Sequence, residues 1–75
     1  MPYPLSRLMR SELEQAIYES ALSREDELIA RRYFIEKVPQ IDIAAELGYE
    51  RTTISRKIPT IAKRIIFVAN KLNIT

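Results

Sequence analysis

The chain has 75 residues, 47% of them hydrophobic, with a single glycine and neither cysteine nor histidine, and a chain of this size buries only about 60% of its unfolded surface. That excludes disulfides, supplies neither cysteine nor histidine to hold zinc, and leaves no apolar run approaching the roughly 18 residues of a membrane span or resembling a signal peptide, so a soluble, cytoplasmic protein is expected. The net charge of +2 conceals a segregation: residues 1–50 carry six Arg/Lys against ten Asp/Glu, whereas residues 51–75 carry Arg51, Arg56, Lys57, Lys63, Arg64 and Lys71 and no acid, the footprint of a surface that meets a polyanion.

One glycine and almost no alternating apolar pattern predict helices joined by short connections, as a single domain over residues 1–75. Leu5, Leu8, Met9, Leu13, Ala16, Ile17 and Ala21 recur at three and four, predicting a first amphipathic helix over about Leu5–Ser20. Ser11 and Glu14 spell a capping box that would start it later. In "LSREDELIARRYFIEK", Ser23 is the expected N-cap and Glu25, Asp26 and Glu27 suit the positive end of the helix dipole, predicting a second helix over about Arg24–Glu36. Its apolar residues spread around most of its circumference, which makes it the central helix; Tyr33 and Phe34 are expected in the core. In "VPQIDIAAELGYE", Pro39 suits a first helical position. Ile43, Ala44 and Leu47 form one face, and Gly48 supplies a left-handed residue to end a short third helix at about Gln40–Leu47. Tyr49 is expected to plug the core at the turn.

The last segment starts at Glu50 or Arg51. Ile54, Ile58, Ile61, Ile65, Val68 and Leu72 are spaced four, three, four, three, four, in phase through Pro59. Proline disrupts a helix interior, yet nothing would keep the phase if the helix stopped there. One long helix is therefore expected, kinked at Pro59 and bent away from its outer face.

Two helices joined by a glycine turn, the second polar and basic at its start, describe a helix-turn-helix over about residues 40–58. Leu47, Ile54 and Ile58 would seat the second helix, with small Ala44 at the crossing. This leaves Arg51, Thr52, Thr53, Ser55, Arg56 and Lys57 free to reach DNA. Arg51, Lys57 and Lys63 are expected on phosphates, and Thr52, Ser55 and Arg56 on base edges. The same cations also suit a plain solvated face, and Thr53 a local cap. The carboxylates Glu12, Glu14, Glu25, Asp26 and Glu27 are better explained by solvation and dipole capping than by acid–base work.

The stretch "LSREDELIARRYFIEKVPQIDIAAELGYERTTISRKI" resembles region 4 of bacterial sigma factors and the small sigma-like regulators of phages and mobile elements. Leu22, Glu25, Arg32, Tyr33, Ile43, Ala44, Leu47, Gly48, Thr53, Ile54 and Ile58 carry the likeness, over about half the chain. "ERTTISRKI" is also similar to the helix-turn-helix of some insertion-sequence transposases. Both resemblances imply that the second helix of the motif reads DNA. The chain departs from the sigma pattern at Pro59 and at Glu50, where Ser or Thr usually caps.

The expectation is an all-α, four-helix bundle-like protein, without cofactor, metal or catalysis, that binds double-stranded DNA as a sequence-specific transcription regulator. The alternatives are an adaptor that docks on RNA polymerase and the DNA-binding subunit of a transposition or recombination system. On a helical wheel at about 100° per residue, Ile66 and Phe67 fall away from the apolar stripe, so they are expected to be exposed and to form a homodimer interface. Covering of both by the first helix is the other possibility.

Overall fold

A computed structural model describes Leu5 and residues 8–72 of the chain. Helix ends follow from where the unpaired backbone groups find partners. Helix α1 spans Arg10–Glu19, and the Met9 N–H donates to Glu12 Oε1 at 2.9 Å. The capping carboxylate is therefore Glu12, not Glu14 as the sequence pattern suggested. Glu14 is drawn instead to Arg31 at 3.1 Å and Arg10 at 3.7 Å. The helix also starts later than expected: residues 6 and 7 lie outside the described residues, and the Leu8 N–H donates to the Leu5 carbonyl at 3.1 Å. Ala21, assigned to the apolar stripe by spacing, lies past the helix end with φ 51° and faces solvent. Met9 is likewise exposed, so the buried stripe narrows to Leu13, Ala16 and Ile17.

Helix α2 spans Arg24–Ala30. As expected, Ser23 caps it, its Oγ accepting the Asp26 N–H at 3.2 Å. The predicted helix then widens into a π-helical turn over Arg31–Ile35. The Glu36 N–H reaches back to the Arg31 carbonyl at 3.0 Å and the Val38 N–H to that of Arg32 at 2.8 Å. That second bond is one residue wider than the closing bond of a Schellman motif, as the extra residue in the turn demands, and Lys37 takes the left-handed position with φ 58°. The turn leaves Phe34 fully buried and Tyr33 half-buried, their rings edge to face at 5.0 Å and 82°.

Helix α3, Gln40–Leu47, has the bounds the sequence predicts, although Pro39 is the residue before its first turn rather than inside it. Gly48 ends it at φ 76°, and the Tyr49 N–H returns to the Ala44 carbonyl at 2.9 Å. Tyr49 is not a core plug. It is exposed, and its hydroxyl donates to Glu25 Oε2 at 2.7 Å.

Helix α4 runs without a break from Arg51 to Lys71, through Pro59. Proline in a helix interior costs about 3 kcal/mol. Four isoleucines on α4 (Ile54, Ile58, Ile61, Ile65) are buried, each contributing about 1.5–3 kcal/mol, so the stripe outweighs the lost backbone bond. Ala62, Val68 and Ala69 extend it; Leu72 does not, because it caps the helix and is exposed. At 1.5 Å per residue the 21 residues of α4 span about 30 Å, nearly the molecule's 35 Å length. Helices α1, α2 and α3 pack against it, and their buried residues join its stripe in one apolar cluster. The protein is all-α with four α-helices among the described residues, none long and apolar enough to cross a membrane.

Candidate nucleic-acid interface

Helix α3 packs mainly on α4, so the Gly48 turn holds the N-terminal turns of α4 against the short helix before it. Buried Ala44, Ile54 and Ile58 sit at this joint as the sequence suggests, and Leu47 packs against the core. The joint is braced from behind by Arg32 on the π turn. Its guanidinium grips Glu46 of α3 with two bonds (Nε to Oε1 at 3.1 Å, Nη2 to Oε2 at 3.0 Å) and reaches Glu36 at 2.8 Å. These bonds, Glu46 first and Glu36 second, push the already high Arg32 pKa further up. A forked pair of this kind fixes orientation as well as distance.

The seven residues expected to touch DNA divide into two groups. Arg51, Thr52, Arg56 and Lys63 are exposed. Thr52, Arg56, Pro59 and Lys63 recur at helical spacing on the side opposite the buried isoleucines, and this outer face carries no acid between Arg51 and Lys71. None of Arg51, Arg56 and Lys63 has an ion-pair partner among the described residues.

Ser55, Lys57 and Thr53 are placed differently. The Ser55 hydroxyl donates to Gln40 Oε1 at 2.7 Å, so it is engaged inside the joint rather than free for a base. Lys57 points at the first turn of α2, with Nζ 3.4 Å from Asp26 Oδ1 and 3.6 Å from Glu25 Oε1. The acids that cap α2 thus also hold α4, and Lys57 is not the free phosphate ligand expected. Partial burial pulls the Lys57 pKa down, but the charge and hydrogen bond of Asp26, with Glu25 behind, outweigh it and leave it raised. The Tyr49 phenol is raised as well, chiefly by its hydrogen bond to Glu25 and then by desolvation. Thr53 is half-buried and its N–H donates to the Glu50 carbonyl at 3.1 Å in the first turn.

Sequence reasoning did not single out Gln40 or Arg64. The Arg64 Nε donates to the Ser20 carbonyl at 3.2 Å, tying the end of α1 to α4. A glutamine opening α3, and a cation next to Lys63 in sequence, were the available signals. Ile66 and Phe67 also part company. Phe67 is 53% exposed, as expected, whereas Ile66 is half-buried against the core. The Lys71 ammonium lies over the Phe67 ring, 5.1 Å from its centre.

No family model, curated protein or solved structure matches this chain.

Proposed function

We propose that the protein binds duplex DNA as a sequence-specific, helix-turn-helix transcription regulator of the sigma-region-4 kind, acting in the cytoplasm. The observation that supports this best is the acid-free outer face of α4, where Thr52, Arg56 and Lys63 stand exposed, with Arg51 exposed at the start of the helix on the side of α3, and no ion-pair partner among the described residues for any of the three cations. Acids three or four residues away would pair these cations along the helix; here those acids are missing, which leaves the charge to a polyanion such as the duplex backbone. Arg51 and Lys63 take phosphates, while Thr52 and Arg56 read base edges.

Titration against duplex DNA over a range of salt tests this. Three phosphates neutralised per protomer give a slope of log K against log salt of about −2.7, whereas six, one for each cation of residues 51–75, would give about −5.4. A flat response would remove DNA binding and favour an adaptor docked on RNA polymerase.

A second copy of the chain is the partner we propose for Phe67, which stands exposed next to half-buried Ile66 on α4, because contiguous apolar surface of this kind marks an interface. Ile66 contributes only its outer edge. Sedimentation of Phe67→Glu should give a monomer where the wild type gives a dimer; unchanged dimerisation rules out this surface.

A further inference from the structure

The joint between α3 and α4 holds a polar arrangement that base reading by α4 does not use. Gln40, the first residue of α3, is half-buried, and its Oε1 accepts the Ser55 hydroxyl at 2.7 Å. An amide carries its oxygen and its two N–H donors in one plane, so holding the oxygen also fixes where the donors point. Gln40 and Arg51 line one open depression of about 390 Å³ together with Tyr33, Pro39 and Ile41. No acid is among its described lining residues, and Asp42, two positions along α3, is not one of them. An oriented amide and an unpaired guanidinium sharing a concavity are the donors that phosphate oxygens take.

We infer that Gln40 and Arg51 form a phosphate-binding site at the joint of the two helices, and that Ser55 is its positioning residue rather than a reader of bases. The inference rests on the DNA-binding reading for its natural ligand, a phosphate of the duplex backbone; free phosphate shares the chemistry. The site lies at the α3 end of the interface, so it would fix how α4 is inclined on the duplex while carrying no sequence information of its own.

The experiment is built on variants that keep the joint folded. Gln40→Glu retains an oxygen for the Ser55 hydroxyl but replaces the amide donors by a carboxylate beside Arg51. Ser55→Ala keeps Gln40 and releases its amide. Side-chain amide resonances of the wild-type protein are followed by NMR during titration with inorganic phosphate and, separately, with a short duplex. Duplex affinities of both variants are measured on several unrelated sequences. The Gln40 amide signals should shift in both titrations. Gln40→Glu should weaken binding about tenfold or more, and Ser55→Ala about threefold, by equal factors on every sequence.

A Gln40→Glu protein that binds duplex within about twofold of wild type overturns the site, as do Gln40 amide signals that stay still while duplex binds. A loss confined to particular sequences overturns the assignment to phosphate and makes Gln40 a base reader. Gln40 signals that respond to inorganic phosphate in a protein that does not bind duplex would uphold the site and remove the DNA-binding reading instead.

Discussion

Three of the described residues sit at positive φ: Ala21 at 51°, Lys37 at 58° and Gly48 at 76°. The left-handed conformation costs a residue with a Cβ about 1–2 kcal/mol, and glycine avoids it. At Gly48 an added Cβ would meet nothing within 4 Å, so the conformational cost stands alone there, without a clash to confuse it. Gly48→Ala is therefore expected to destabilise by about 1 kcal/mol, the strain being partly offset by the smaller entropy of the alanine unfolded chain. Ala21 is the converse case: it is exposed and past the end of α1, so Ala21→Gly should stabilise by up to about 1 kcal/mol. Thermal melts of the two variants check both. Opposite signs are the expected result, and a stabilising Gly48→Ala would show that the turn between α3 and α4 is not held as described. The same turn carries Tyr49, whose hydroxyl on Glu25 makes it a link from the motif to α2, not the buried plug its composition suggests.

Among the elements, α4 is the one whose backbone and side chains disagree. Pro59 denies the Ser55 carbonyl its helical partner, yet the helix is continuous and Pro59 is exposed. Pro59→Ala should keep the fold and raise the melting temperature, with a gain of up to about 3 kcal/mol before tertiary adjustment. Proline on an outer helix face is a common cause of a bend, and Pro59 lies between Arg56 and Lys63. Restoring the bond should therefore redirect Lys63 relative to Arg56 and lower duplex affinity. Melts and DNA titrations of this one protein answer both points, and a destabilised variant would mean that the proline is required where it stands. The isoleucine spacing made α4 legible through its proline because side-chain phase survives the loss of one backbone bond. The Ser23 cap and the Gly48 stop, both set by residues adjacent in sequence, were legible for the same local reason. The π turn at Arg31–Ile35 was not, because a single widened turn leaves no periodic mark in five residues. Nor was the start of α1, where the apolar residues Leu5 and Leu8 contribute to the core cluster without belonging to the helix.

At the scale of the whole molecule, the charge segregation of the sequence is partly undone by folding. Of the six cations in residues 51–75, Lys57 is turned inward to Glu25 and Asp26, Arg64 to the Ser20 carbonyl, and Lys71 lies over Phe67. A count of charge along the chain could not foresee this, because the acids that capture Lys57 are about thirty residues away and are joined to it only by the packing of α2 on α4. Arg56 is exposed while Lys57, its neighbour in sequence, is paired to α2, which gives a sharp test of the proposed roles. Lys57→Met removes two ion pairs whose side chains are between 31% and 42% exposed, so screening limits the loss of stability to about 1 kcal/mol or less, and the salt slope of DNA binding should not change. Arg56→Ala should leave the melting temperature nearly unaltered but cost about 1–3 kcal/mol of discrimination at one base position. Lys63→Ala should weaken every sequence alike and reduce the salt slope by about 1. Melting curves and salt-dependent titrations of the three proteins separate the roles. If Lys57→Met lost duplex affinity as Lys63→Ala does, without losing stability, the ion pair with α2 would be incidental and Lys57 would belong on the DNA-facing surface after all.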